Sequence, residues 1–114
     1  MSTTSQKQDL LDAVTELRSA EQLLLAQSRT TSDVPTLIQL NTEYSHLDSY
    51  ISQLLHTQAI DDDVQFDNAT AALKQQVSAL STDLDAIEKI VGDVTTAGKI
   101  VGYIAQAVTI VGTL

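Results

Sequence analysis

Residues 100–114 carry no charge, and three of the chain's four glycines lie after residue 97. Drawn as a helix, this ending divides into three apolar or small stripes. Gly98, Gly102, Ala105, Thr109 and Gly112 make a nearly flat one; Val101, Ile104, Val108 and Val111 a branched one; Ile100, Tyr103, Ala107, Ile110 and Leu114 the third. Only Lys99, Gln106 and Thr113 remain, seven residues apart, as one thin polar line. A helix apolar around most of its girth cannot stand in water, because each exposed Ile or Val forfeits ~1.5–3 kcal/mol of burial. Something must cover it: the rest of its own bundle, other copies of the chain, a partner protein or a bilayer.

The rest of the chain offers helical cover. With 114 residues it is the size of one domain and long enough to bury a core of its own. One Pro, one Phe, three Tyr and no Trp leave too few strand formers and turn residues for a sandwich or barrel. The composition therefore predicts an all-α, up-and-down bundle of three to four helices, a single domain over residues 1–114. Helix one is expected over about 6–28, opened by a capping box of Ser5 and Gln8 and carried by Leu10, Val14, Leu17 and Leu24. A polar linker ending at Pro35 leads to helix two, about 35–56, in which Leu37, Leu40, Tyr44, Leu47, Ile51 and Leu54 form a seam spaced three and four.

Asp62 or Asp63 is the expected N-cap of helix three. From Phe66 one heptad row reads Leu73, Leu80, Ile87, Val94, Val101, Val108, and a companion row reads Thr70, Val77, Leu84, Val91, Gly98, Ala105, Gly112. Unbroken phase favours one helix over about 63–114, roughly 75 Å long at 1.5 Å per residue. The competing signal is GDVTTAG, residues 92–98, where two glycines and two threonines weaken a helix and permit a kink or a break.

The charge, −9 from 15 acidic and 6 basic side chains, repels phosphate backbones, so no nucleic-acid role is expected. No basic n-region precedes an apolar run at the start, which makes a cytoplasmic location the default while leaving specialised export open. The absence of cysteine removes disulfides and thiolate metal sites.

Candidate chemistry is sparse. Glu43 and His46 have the Glu-x-x-His spacing of carboxylate-bridged di-metal bundles, but no second such motif accompanies them, so His46 reads as a surface histidine. His56 suits the C-terminal dipole of helix two. DDDVQFDN lacks the central glycine and closing glutamate of a calcium loop, and its aspartates read as N-capping. With two histidines and no nucleophile arrangement, no enzyme activity, cofactor or metal is expected.

The leading expectation is a non-enzymatic interaction or assembly module. Its interface is Gly98, Val101, Gly102, Ile104, Ala105, Val108, Val111 and Gly112, and its partner is a second copy of the chain or another helical protein. The alternative is a membrane-active helical protein that shelters the apolar segment until it meets a bilayer, similar in general design to α-helical pore-forming toxins. Against a permanent span, residues 100–114 fall short of the about 20 apolar residues required, although GKIVG has the small-xxx-small spacing found between membrane helices. A third reading makes the last helix the central core element of a self-contained four-helix bundle.

Overall fold

The computed structural model describes residues 3–114, and over them the chain is all-α. Five segments follow in order: α1 (Thr3–Thr30), α2 (Val34–Gln58), α3 (Asp63–Gln75), α4 (Val77–Ile90) and α5 (Val94–Gly112). Only Gln76 separates α3 from α4, so these two form one bent rod and the molecule has four rods in all. α1 packs chiefly on α2 and α5, α5 also on α4, and α2 on α3 and α4. The ring closes around a core that includes Leu10, Leu17, Leu24, Leu47, Leu54, Phe66, Ile87, Ile100 and Ile104, each no more than 1 % exposed.

Three aspartates set where the later rods begin. Asp33 accepts hydrogen bonds from the Thr36 backbone N–H at 3.0 Å and the Thr36 hydroxyl at 2.6 Å, with Pro35 in the first turn of α2. Asp62 accepts from Gln65 N at 2.8 Å and starts α3. Asp93 accepts from Thr95 N at 3.0 Å and from Thr96 Oγ1 at 2.9 Å, starting α5. Each satisfies donors that a helix leaves unpaired at its first turn. α1 is helical from Thr3, so Ser5 lies inside the helix and the expected capping box does not set its start; Gln8 Nε2 donates forward to Asp12 Oδ1 at 3.0 Å.

The single helix expected over 63–114 is corrected by two interruptions. At Gln76 the rod bends, and the Leu73 carbonyl beside the bend accepts from both the Gln76 N–H at 3.1 Å and the buried Tyr50 hydroxyl at 2.9 Å. At 91–93 the chain turns back, and the molecule measures only 47 × 21 × 20 Å, too short for a 75 Å rod. The turn also changes phase. Phe66, Leu73, Leu80 and Ile87 are buried, but the same row continues into Val94, 86 % exposed, while the core positions of α5 are Ala97, Ile100, Ile104, Ala107 and Val111. Where almost every residue is apolar, any seven-residue row reads as apolar, and the apparent continuity carried no phase information.

Helix two is corrected at two positions of its seam, the first being Leu37, which is only half-buried. The buried face of the helix runs Leu40, Glu43, Leu47, Tyr50, Leu54, Thr57 at alternating spacings of three and four, with Ile51 beside it. Tyr44, expected in the seam, is only half-buried, and a glutamate occupies the core position.

Candidate functional site

α5 presents two unlike faces. Its inner face, spaced 3, 4, 3, 4 from Ala97 to Val111, fills the gap between α1 and α4. By helical geometry the flat stripe lies opposite: Gly98, Gly102, Ala105, Thr109 and Gly112 point away from the core. Gly98, Thr109 and Gly112 are exposed, and Gly102 and Ala105 are half-buried. A Cβ added at Gly98, Gly102 or Gly112 would meet no atom within 4 Å, so these glycines answer no close approach inside the molecule. Val94, Val101 and Val108, seven residues apart, border the stripe on one side. Lys99, Gln106 and Thr113 border it on the other, and Gln106, with its amide nitrogen turned toward α1, donates to Glu16 at 2.7 Å.

The expected interface is thereby divided. Ile104 and Val111 are 0 % exposed and belong to the core, because their side chains fall on the inner arc of α5. Gly98, Val101, Gly102, Ala105, Val108 and Gly112 remain on or beside the outer face. α5 is also the one helix among the described residues long and apolar enough to cross a membrane, and only 28 % of its apolar window is buried within the molecule.

A second constellation lies on the seam between α2 and α4. Glu43 and Asp83 occupy core positions, 7 % and 9 % exposed, and His46 stands at the rim with Nδ1 3.2 Å from Asp83 Oδ1 and 4.0 Å from Glu43 Oε2. Burial, followed by sharing of a hydrogen bond with Asp83 and repulsion from it, pushes the Glu43 carboxyl up to about 7, with His46 pulling the other way. These three residues are the group among those described whose ligand atoms lie close enough together, within 4.8 Å of one another, to hold a metal ion. A cleft of about 420 Å³ opens beside them, lined in part by His46, Ser49, Tyr50 and Asp83.

No protein family, curated protein or solved structure matches this chain. Function is therefore argued from the two constellations alone. Asp83 was not singled out in the sequence, yet the signal was there: Leu80, Asp83 and Ile87 share the three-four spacing of a buried face, as Leu40, Glu43 and Leu47 do on α2. An acid inserted into each of two facing apolar rows marks a meeting point. His56 stands in the last turn of α2, where its expected dipole role places it.

Proposed function

We propose that the protein is a non-enzymatic interaction module, an up-and-down bundle that assembles through the outer face of α5, with a second copy of the chain or another helical protein as partner. The observation that carries this reading is the open glycine stripe: three glycines in a helix, each with free space where a side chain would stand. Glycine weakens a helix interior by ~1 kcal/mol relative to alanine, and nothing inside the molecule compensates that cost. A second helix laid along the stripe would, because small residues let backbones approach closely and the valine row beside them supplies apolar contact.

The test is the double variant Gly98→Leu with Gly102→Leu. Both sites are open in the single chain, so the monomer is expected to fold and to melt no lower than the parent. Sedimentation across a concentration series should show association by the parent, weakened at least about tenfold, or ~1.4 kcal/mol, in the variant. Equal association by both chains would rule out the stripe as the contact.

A membrane-active role is the second reading, favoured by the length and apolarity of α5. Co-sedimentation with zwitterionic vesicles and dye release from them separate the two. Val101→Asp is the better probe there than a change at Ile104, since Ile104 is core and its replacement by aspartate would unfold the bundle before any bilayer was met.

A further inference from the structure

The seam between α2 and α4 poses a problem of charge that the fold does not solve with its own side chains. Two carboxyl groups from different helices meet there, and among the described residues no lysine or arginine nitrogen lies within 4.0 Å of either. Glu43 is nine-tenths buried as a side chain, and its Oε2 has no hydrogen-bond partner. That orphaned oxygen is the one nearest His46 Nδ1, so it is aimed at the imidazole nitrogen and not into the apolar core. A buried acceptor without a donor costs ~1–3 kcal/mol, and more when it is charged.

We propose that Glu43, His46 and Asp83 bind one divalent transition-metal ion of the zinc type, which joins α2 to α4.

The donor set fits such an ion in kind, number and spacing. One imidazole nitrogen with two carboxylate oxygens suits Zn²⁺ and its first-row neighbours better than Mg²⁺ or Ca²⁺, which favour oxygen alone. The two carboxylates cancel the ion's charge, leaving a neutral cluster in the seam. Bonds of ~2.0–2.1 Å in a tetrahedron place ligand atoms about 3.3 Å apart. His46 Nδ1 and Asp83 Oδ1 already stand at 3.2 Å, Glu43 Oε2 lies 4.0 Å from the same nitrogen, and all three ligand atoms lie within 4.8 Å of one another, so the Glu43 carboxylate closes by up to about 1.5 Å to reach the ion. His46 and Asp83 both line the cleft of about 420 Å³, which would give a water molecule a route to the fourth position. Since Glu43 and His46 are a turn apart on α2 and Asp83 comes from α4, the ion ties two rods together. The expectation of an ordinary surface histidine followed from the missing second Glu-x-x-His; a single-ion site needs only the acid that α4 supplies.

The experiment is equilibrium dialysis of chelator-treated full-length chain against micromolar Zn²⁺, with Mg²⁺ as comparison and thermal melting as a second readout. Parent chain and His56→Gln are expected to retain one Zn²⁺ per chain and to melt higher with Zn²⁺ than without, with no response to Mg²⁺. Glu43→Gln, His46→Gln and Asp83→Asn should each bind Zn²⁺ at least about 100-fold more weakly and lose the melting shift. The two acid variants replace buried charge with neutral groups of the same shape, and His46 is at the rim, so all three should remain folded. Zn²⁺ uptake unchanged in the three variants would overturn the proposal, as would a parent chain that takes up none, its acids then being neutralised by a shared proton alone.

Discussion

Glu21, Glu43, Thr57, Thr70 and Asp83 are buried polar side chains, and the Tyr50 hydroxyl is enclosed with the apolar core. Tyr50 is 4 % exposed, its hydroxyl reaches the Leu73 carbonyl at the bend between α3 and α4, and burial pushes its ionisation up to about 12. Tyr50→Phe removes one of two donors to that carbonyl, which keeps the Gln76 N–H at 3.1 Å, so stability should fall only by ~0.5–1.5 kcal/mol in urea unfolding. Glu21 works in the opposite sense. It is 4 % exposed between Ala20 and Leu24, its Oε2 has no partner, and burial, then the neighbouring Asp48 carboxyl, raise it from 4.5 to about 7 against a weaker pull from Arg18. The folded state thus prefers the protonated acid. Below pH 4.5 the group is neutral whether folded or unfolded and costs nothing; between 4.5 and 7 the unfolded chain ionises first; above 7 the fold holds a buried charge. Stability should accordingly be higher at pH 5 than at pH 8, by ~1–3 kcal/mol from this residue. Glu21→Gln should remove this residue's share of the slope, leaving that of Glu43, which burial raises likewise, and stabilise the chain at pH 8, as measured by urea midpoints at the two pH values.

Among the elements, α5 is decisive, for it serves as both core and boundary. Ile104→Ala should cost ~2–5 kcal/mol, read from the same unfolding curves, because the side chain is fully enclosed. The contrasting tolerance expected at Gly98 and Gly102 would show that one helix has a packed side and a vacant side. The sequence made the all-α class and the apolar last helix legible: α1, expected over about 6–28, runs Thr3–Thr30, α2, expected over about 35–56, runs Val34–Gln58, and the last helix is covered on its inner arc by α1 and α4. The turn at 91–93, which the sequence offered at 92–98 as the alternative to one continuous helix, ranked second for a local reason. Asp93 followed by Val94, Thr95 and Thr96 is the same kind of helix start as Asp33 before Val34, Pro35 and Thr36, but Gly92 and the threonines drew attention to helix weakness and away from capping. Glu43 was noticed for its spacing to His46 but not as a core position, and Asp83 not at all, because their neighbours at one residue's remove, Tyr44 and Leu84, are apolar enough to stand in for them when a seam is traced by eye. Which of two adjacent positions faces inward is settled by the partner rod, and that is not written in either row alone.

At the scale of the whole molecule, the four rods depend on one another. α1 has α2 on one side and α5 on the other, so removing α5 leaves Leu10, Leu17 and Leu24 without half of their cover. A chain ending at residue 93 is expected to lose its cooperative thermal transition and bind hydrophobic dye, observed by circular dichroism and fluorescence. A shortened chain that melts sharply as a monomer would instead make α5 an appendage. Either result bears on how an outer face of α5 could be used, since a helix that completes the core can meet a partner only with the side turned outward.

The even number of rods brings the path of the chain back to where it started. Gln6 Nε2 donates to the Leu114 carbonyl at 3.3 Å, and Lys7 lies 3.8 Å from Asp61 in the link between α2 and α3. One pole of the molecule therefore gathers Gln6, Leu114 and the link between α2 and α3, while the other holds the two Asp-Val junctions at 33–34 and 93–94. An attachment beside Gln6 and one beside Leu114 would thus share a pole, far from the two Asp-Val junctions.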